Sequence, residues 1–253
     1  MEYITIEKTA ERISILTLNR PAVHNSFSRE LLNELTAALK ELEKDKDTGV
    51  IILTGAGEKS FSAGVDLTIL QNFKNIEEAR EYALLLEGTS ENLFNCAKPV
   101  ITAINGYALG GGMGYAVSTD YRIASENAKI GFPAVRLGAI LPVTCTLYLS
   151  ALIGVNHSRD ILLTGRMMDA KEAQTIGLVN KVVPHQDLME EAKNVARMML
   201  EGTDMALFYT KKTINTILSQ DIEAKKIYAA DNFAFLSQTK EWKERILNFG
   251  KKK

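Results

Sequence analysis

The chain has 253 residues, 46% of them hydrophobic, enough to bury a substantial core as one domain with a small C-terminal extension. Its 30 basic and 31 acidic residues leave a net charge of −1, which gives no basic surface for nucleic acid or an anionic membrane. Cys96 and Cys145 are too few for a disulfide framework, no spacing suggests a metal site, and no apolar run reaches transmembrane length. Met1-Glu2-Tyr3 opens no charged-then-apolar leader, so a soluble cytoplasmic protein is expected.

Residues 3–7 and 13–18 run apolar or alternate around a polar turn and predict a hairpin. Ser28 is placed to cap a helix over 29–46 whose apolar face is Leu31, Leu32, Leu35, Ala38, Leu39 and Leu42. A strand over 50–54, a long helix over 76–95 and a strand over 100–104 follow. Strands alternating with helices argue for stacked β-β-α units rather than a sandwich. From Thr144 onward helices dominate: Asp169 and Glu172 form a capping box, and helical patterns cover 188–200, 205–218, 222–236 and 240–249. The helix over 222–236, with Ile227, Tyr228, Phe233 and Phe235, is too apolar for water and predicts burial against the core or another subunit. Lys251 to Lys253 reads as a solubilising tail, and no internal repeat is visible.

The most informative segment runs from Lys98 to Gly114. An apolar strand ends at Asn105-Gly106, and Gly110, Gly111 and Gly112 then open a helix expected over 113–118. Glycines at a helix start let a ligand approach the backbone and leave the first N–H groups unpaired, which suits an anion or a developing oxyanion. Neither the dinucleotide fingerprint nor a phosphate loop is present, since G-x-G-x-x-G directly after the strand and Gly-Lys-Ser/Thr are both missing. Phe61-Ser62-Ala63-Gly64-Val65-Asp66-Leu67 makes a second small-residue corner after a strand. Two such corners are the minimum for a two-donor oxyanion site.

These segments, with Leu18-Asn19-Arg20-Pro21, Asn25, Asp120 to Ala124, Leu137-Gly138, Leu163 to Gly165 and Ala170 to Asn180, resemble the crotonase, or enoyl-CoA hydratase/isomerase, superfamily over nearly the whole chain. The resemblance implies an α/β fold, a crotonase-type spiral of β-β-α units with a C-terminal helical region. It divides the chain into a core over 1–195 that binds the CoA thioester and a helical trimerisation region over 196–253. It also implies a homotrimer or hexamer, an acyl-CoA substrate of fatty acid metabolism, and no cofactor beyond the coenzyme A of that substrate. By the same resemblance the N–H groups of Val65 and Gly111 are the two catalytic oxyanion donors, with Val65 standing where Ala or Leu is more usual. Val23, His24, Ala63, Gly64, Asp66, Leu67, Gly110, Gly112, Gly114 and Ala134 are the matching substrate-binding positions.

Three positions depart from the family. Its hydratases carry a glutamate two residues after the third glycine, here Gly114, and a second four residues before the glycine of the Leu-Gly pair, here Ala134; an aspartate used by some relatives falls at Pro142. Adding water across a double bond needs a positioned proton donor and acceptor, worth roughly 10²–10⁴-fold in rate. The expectation is therefore an acyl-CoA lyase, such as a decarboxylase, or an isomerase rather than a hydratase; the alternative is a catalytically weakened acyl-CoA-binding homologue. Tyr82, Glu87 and Arg136 are the candidate substitutes for the missing groups, although a structural role is the expectation for each. Cys145 reads as core and Asp120 as structural. The acyl pocket is expected from the segments 68–86 and 140–148.

Overall fold

The computed structural model describes residues 1–218 and 222–248. In chain order it forms β1 (Ile4–Lys8), β2 (Ile13–Leu18), α1 (Arg29–Lys44), β3 (Val50–Gly55), β4 (Ser60–Ser62), α2 (Leu67–Gln71), α3 (Ile76–Phe94), β5 (Val100–Ile104), β6 (Tyr107–Leu109), α4 (Gly111–Val117), β7 (Tyr121–Ser125), β8 (Lys129–Gly131), α5 (Val143–Thr164), β9 (Met167–Asp169), α6 (Ala170–Thr175), β10 (Lys181–Val183), α7 (Leu188–Leu200), α8 (Asp204–Leu218), α9 (Ile222–Ser237) and α10 (Lys240–Asn248). Short 3-10 turns at Pro21–Val23 and Pro133–Leu137 complete the part that surrounds the site.

The strands split between two sheets. One has the order β1-β2-β3-β5-β7-β10, the other β4-β6-β8-β9. The expected hairpin is present, with Ile4 opposite Leu18, and from β2 onward the larger sheet is parallel. Each spiral turn places one strand in the larger sheet and the next in the smaller one before a helix returns: β3-β4-α2/α3, β5-β6-α4, β7-β8-α5.

Both faces of the larger sheet are covered, which is why β3 and β5 read as continuous apolar runs. The pleat sends alternate residues to opposite sides. Val50 and Ile52 meet Leu188, Ala192 and Ala196 of α7, while Ile51 and Leu53 join the main core with the leucines of α1. Ser28 caps α1 through its hydroxyl, which accepts from Leu31 N–H at 3.2 Å, and Asp169 caps α6 by accepting from Glu172 N–H at 2.8 Å.

The expected boundary at 195–196 falls inside α7, and Phe233, Trp242 and Ile246 of α9 and α10 pack into the main core. Only part of the apolar α9 is covered this way: Tyr228 remains 70% exposed and Phe235 65%. Among the described residues no helix is long and apolar enough to cross a membrane. The expected tail, Lys251 to Lys253, and the end of the expected last helix at Phe249 lie outside the described residues.

Candidate active site

The first corner follows β4. Gly64 has φ +85°, a left-handed conformation that favours glycine. Phe27 N–H donates to Gly64 O at 2.7 Å, and Asp66 N–H donates back to Phe27 O at 3.1 Å. The Ser62 hydroxyl donates to Asn25 O at 2.8 Å and accepts from Gly64 N–H at 3.1 Å. Buried Asn25 donates to Ala56 O and Ser60 O and accepts from Arg20 N–H. Arg20 in turn donates to Ser26 O at 2.7 Å and to Asp66 Oδ2 at 3.1 Å. The segments around Arg20–Asn25 and Phe61–Leu67 are thus two halves of one hydrogen-bonded corner. Burial pushes the Asp66 carboxyl up, but the Thr68 hydroxyl and N–H and the Arg20 guanidinium outweigh it and leave it below its ordinary value.

The second corner joins β6 to α4. Gly110 has φ +52° and its N–H donates to Gly131 O at 2.9 Å. The corners are in contact: a Cβ on Gly64 would lie 2.6 Å from Leu109 O and 2.9 Å from Gly111 N. A Cβ on Gly112 would lie 2.3 Å from Ser62 O, and one on Gly111 would meet the Phe27 ring at 3.3 Å. Only glycine allows this approach. Among the described residues neither Val65 N–H nor Gly111 N–H donates a hydrogen bond within the protein.

Both residues line a cavity of about 330 Å³. Of the positions that the family resemblance gives as substrate-binding, Val23, His24, Ala63, Leu67, Gly110 and Ala134 line it too. Four expected positions lie behind the wall instead. Gly64 and Gly112 are occupied by the contact between corners, Asp66 caps α2 and pairs with Arg20, and Gly114 faces Cys145. The remaining lining is largely apolar: Leu70, Leu86, Ile140, Leu141 and Pro142 come from the two segments expected to build the acyl pocket, whereas Phe233 of α9 was not anticipated. His24 is the one titratable side chain among the described lining residues, and its Nδ1 lies 2.9 Å from Ser60 Oγ.

Among the described residues no carboxylate lines this cavity; Glu87 lines a void of about 10 Å³ behind Leu86, Leu141, Pro142 and Phe233. The space a side chain at Gly114 would need is filled, since its Cβ would lie 2.8 Å from Cys145 Sγ. Ala134 sits on the 3-10 turn and faces the cavity with a methyl group. The candidate substitutes are committed elsewhere. Buried Tyr82 donates to Phe27 O at 2.9 Å, and burial raises its hydroxyl well above the ordinary value. Arg136 is exposed and donates to Thr164 O at 3.1 Å, on the end of α5.

Glu87 is 1% exposed and acts as a distant cap of α5, whose own N-cap residue, Pro142, supplies no side-chain acceptor. It accepts from Val143 N–H at 2.5 Å and from the Thr144 hydroxyl at 2.9 Å. Burial raises its carboxyl above the ordinary value against the pull of those hydrogen bonds. Thr144 continues to Ser90 at 2.9 Å and Ser90 to Ser118 at 2.8 Å, so a buried polar chain ties α3, α5 and the end of α4 together beneath the corners. Cys145 belongs to this layer; burial pushes its thiol up to about 12, leaving it neutral and unsuited to nucleophilic work. Asp120 accepts from Val100 N–H and Lys211, both at 2.7 Å, and is structural as expected.

Comparison with known proteins gives the same outline. The family described as enoyl-CoA hydratase/isomerase matches residues 8–253. A short-chain-enoyl-CoA hydratase of Clostridium acetobutylicum is 36% identical over 250 residues, 99% of this chain and 95% of that protein. A crotonyl-CoA hydratase of Syntrophomonas wolfei is 36% identical over 252 residues, 100% of this chain and 96% of that one. The crystal structure of an enoyl-CoA hydratase from Bacillus anthracis superposes with a TM-score of 0.82 at 34% identity, covering 98% of this chain and 95% of that one. The enoyl-CoA hydratase from Bacillus halodurans gives a TM-score of 0.90 at 25% identity, covering 97% and 99%. With the spiral of β-β-α units, the two facing glycine corners and a profile match over nearly the full length, the chain belongs to the enoyl-CoA hydratase/isomerase family, the acyl-CoA-processing enzymes of the crotonase fold.

Proposed function

We propose that this enzyme stabilises a thioester enolate at the N–H groups of Val65 and Gly111, and that its reaction is a decarboxylation or an isomerisation rather than a hydration. The observation that carries the reading is the pair of undonated N–H groups on one cavity that no carboxylate lines among the described residues. Two donors aimed at the thioester oxygen stabilise the charge that develops there, each worth ~2.7–4 kcal/mol. In a decarboxylation the carbon–carboxylate bond breaks, its electron pair enters the enolate, CO₂ leaves, and water returns a proton to the α-carbon. No enzyme base is needed for bond cleavage. An isomerisation needs a proton carrier, and His24 is the titratable group on the lining. The reading requires no cofactor beyond the coenzyme A of the thioester.

The relatives named hydratases make the contrast direct. The test is a side-by-side assay of methylmalonyl-CoA decarboxylation, 3-butenoyl-CoA isomerisation and crotonyl-CoA hydration. One of the first two is expected to exceed hydration by at least the 10²–10⁴-fold that acid/base groups supply. Hydration as the fastest reaction refutes the assignment. Binding of all three thioesters with no turnover favours the second reading, an acyl-CoA-binding homologue, which a cavity lined by no carboxylate among the described residues also supports.

A further inference from the structure

A cavity of about 580 Å³ opens between the C-terminal end of α4, α5 and α8, and it shares no described lining residue with the cavity at the glycine corners. Its volume lies within the roughly 300–1,000 Å³ of small-molecule sites. Most of its wall is apolar: Leu152, Leu207, Ile214 and Leu218 line it beside Phe94 and Tyr148, whose rings stack at 3.8 Å.

Three charged side chains also meet this cavity, Asp120, Arg122 and Lys211. Lys211 Nζ donates to Asp120 Oδ2 at 2.7 Å and to Lys98 O at 3.2 Å, so the first two charges cancel. Arg122 on β7 is placed differently. It is 2% exposed, and its Nε and Nη1 donate to two neutral acceptors, Leu178 O at 2.9 Å and Thr119 O at 2.7 Å. Among the described residues it forms no ion pair, and its Nη2 has no hydrogen-bond partner. That nitrogen is not sealed off, since the sealed polar side-chain atoms without a partner are Asn105 Oδ1 and the Tyr148 hydroxyl. It therefore opens on the cavity. Burial lowers the guanidinium to about 10, which still leaves it charged at neutral pH. The described lining thus carries one net positive charge, held where an unmatched charge is costly.

We propose that this cavity binds an organic monocarboxylate with an apolar body, its carboxylate on Arg122 Nη2 and its body along the aliphatic wall of α5 and α8. One negative charge balances the lining, and a guanidinium suits a carboxylate in charge and in donor geometry. A dianion such as a phosphate monoester would bring a second charge into an apolar wall with nothing to pair it. The site is separate from the acyl-CoA reading and stands without it.

Isothermal titration of the intact protein with octanoate, below its micellar concentration, tests the site. One octanoate per chain is expected, with and without saturating butyryl-CoA, and octan-1-ol is expected to bind at least tenfold more weakly. Ala151, exposed on the cavity's rim, allows a plug: Ala151→Trp should lower octanoate affinity at least tenfold, and so should Arg122→Gln, which removes the charge but keeps an N–H donor. Thermal melts report that each variant folds, and Ala151→Trp decides alone if Arg122→Gln does not. Undiminished affinity in Ala151→Trp overturns the site, and equal binding of octanol and octanoate overturns the role of Arg122. Octanoate that butyryl-CoA displaces also overturns it, because the acid then occupies the first cavity. Failure of octanoate to bind overturns it as well, including the case in which a second copy of the chain covers the cavity, which sedimentation would register. Failure of butyryl-CoA alone to bind would remove the acyl-CoA reading and leave this site standing.

Discussion

Replacing Gly64 by alanine should cost activity far out of proportion to stability. Its φ of +85° is a conformation in which a non-glycine residue costs on the order of 1–3 kcal/mol. For a protein of this size that lowers Tm by roughly 2–12 °C. The added Cβ would sit 2.6 Å from Leu109 O, against 3.4 Å for an ordinary contact, so that carbonyl must recede by about 0.8 Å. Gly111 N, at 2.9 Å from the same Cβ, must move with it. Productive sites tolerate displacements of only about 0.5 Å. The Gly111 donor is then lost to the thioester oxygen, and kcat should fall by roughly 10²–10³ with a smaller change in KM. The assay is turnover of the best substrate from the three-reaction comparison, run beside a thermal melt. A kcat within threefold of wild type, together with a lowered Tm, would refute the facing-corner argument.

Three further outcomes follow from the same geometry. Burial holds the Glu87 carboxyl above the ordinary glutamate value of about 4.3; its stabilising contribution is complete below that value and is lost as pH rises through the folded one. Relative to Glu87→Gln, the wild type should therefore lose stability across that window in urea titrations, and a pH-independent difference would contradict the burial argument. Gly114→Glu should destabilise the fold by about 2–4 kcal/mol, through the clash with Cys145 Sγ and a buried carboxylate, and should create no hydratase. A Cys145→Gly background should recover part of that stability, and an undiminished Tm in the single variant would show that the space is open. The exposed apolar residues Tyr228 and Phe235 of α9 call for a covering surface, and the family resemblance implies that a trimer or hexamer supplies it, so sedimentation at micromolar concentration should give that mass, and a stable monomer would refute it.

Much of the fold was legible because its signals are local. The cap at Ser28, the capping box at Asp169, the apolar face of α1 and the helical pattern of α7 each lie within a few residues and appear where expected. The smaller sheet was not legible. β4, β6, β8 and β9 have three residues each, too short for an alternating pattern, and their partners are distant in sequence. At the site, the glycine corners could be read from composition, but the contact between them could not. Two features had no sequence signal at all. Glu87 caps a helix that begins 56 residues later, and Cys145 fills the space beside Gly114 from another helix. Both depend on how α3, α4 and α5 pack, and packing decides which of several polar side chains is free to do chemistry.

A crystal structure with butyryl-CoA bound would show whether the thioester oxygen rests on Val65 N–H and Gly111 N–H. The carbonyl oxygen is expected at about 2.7–3.1 Å from both nitrogens. The acyl carbons should then enter the cavity beside Ala134, with no carboxylate in reach of the α-carbon. A thioester oxygen bound elsewhere, or an ionised side chain against the α-carbon, would contradict it.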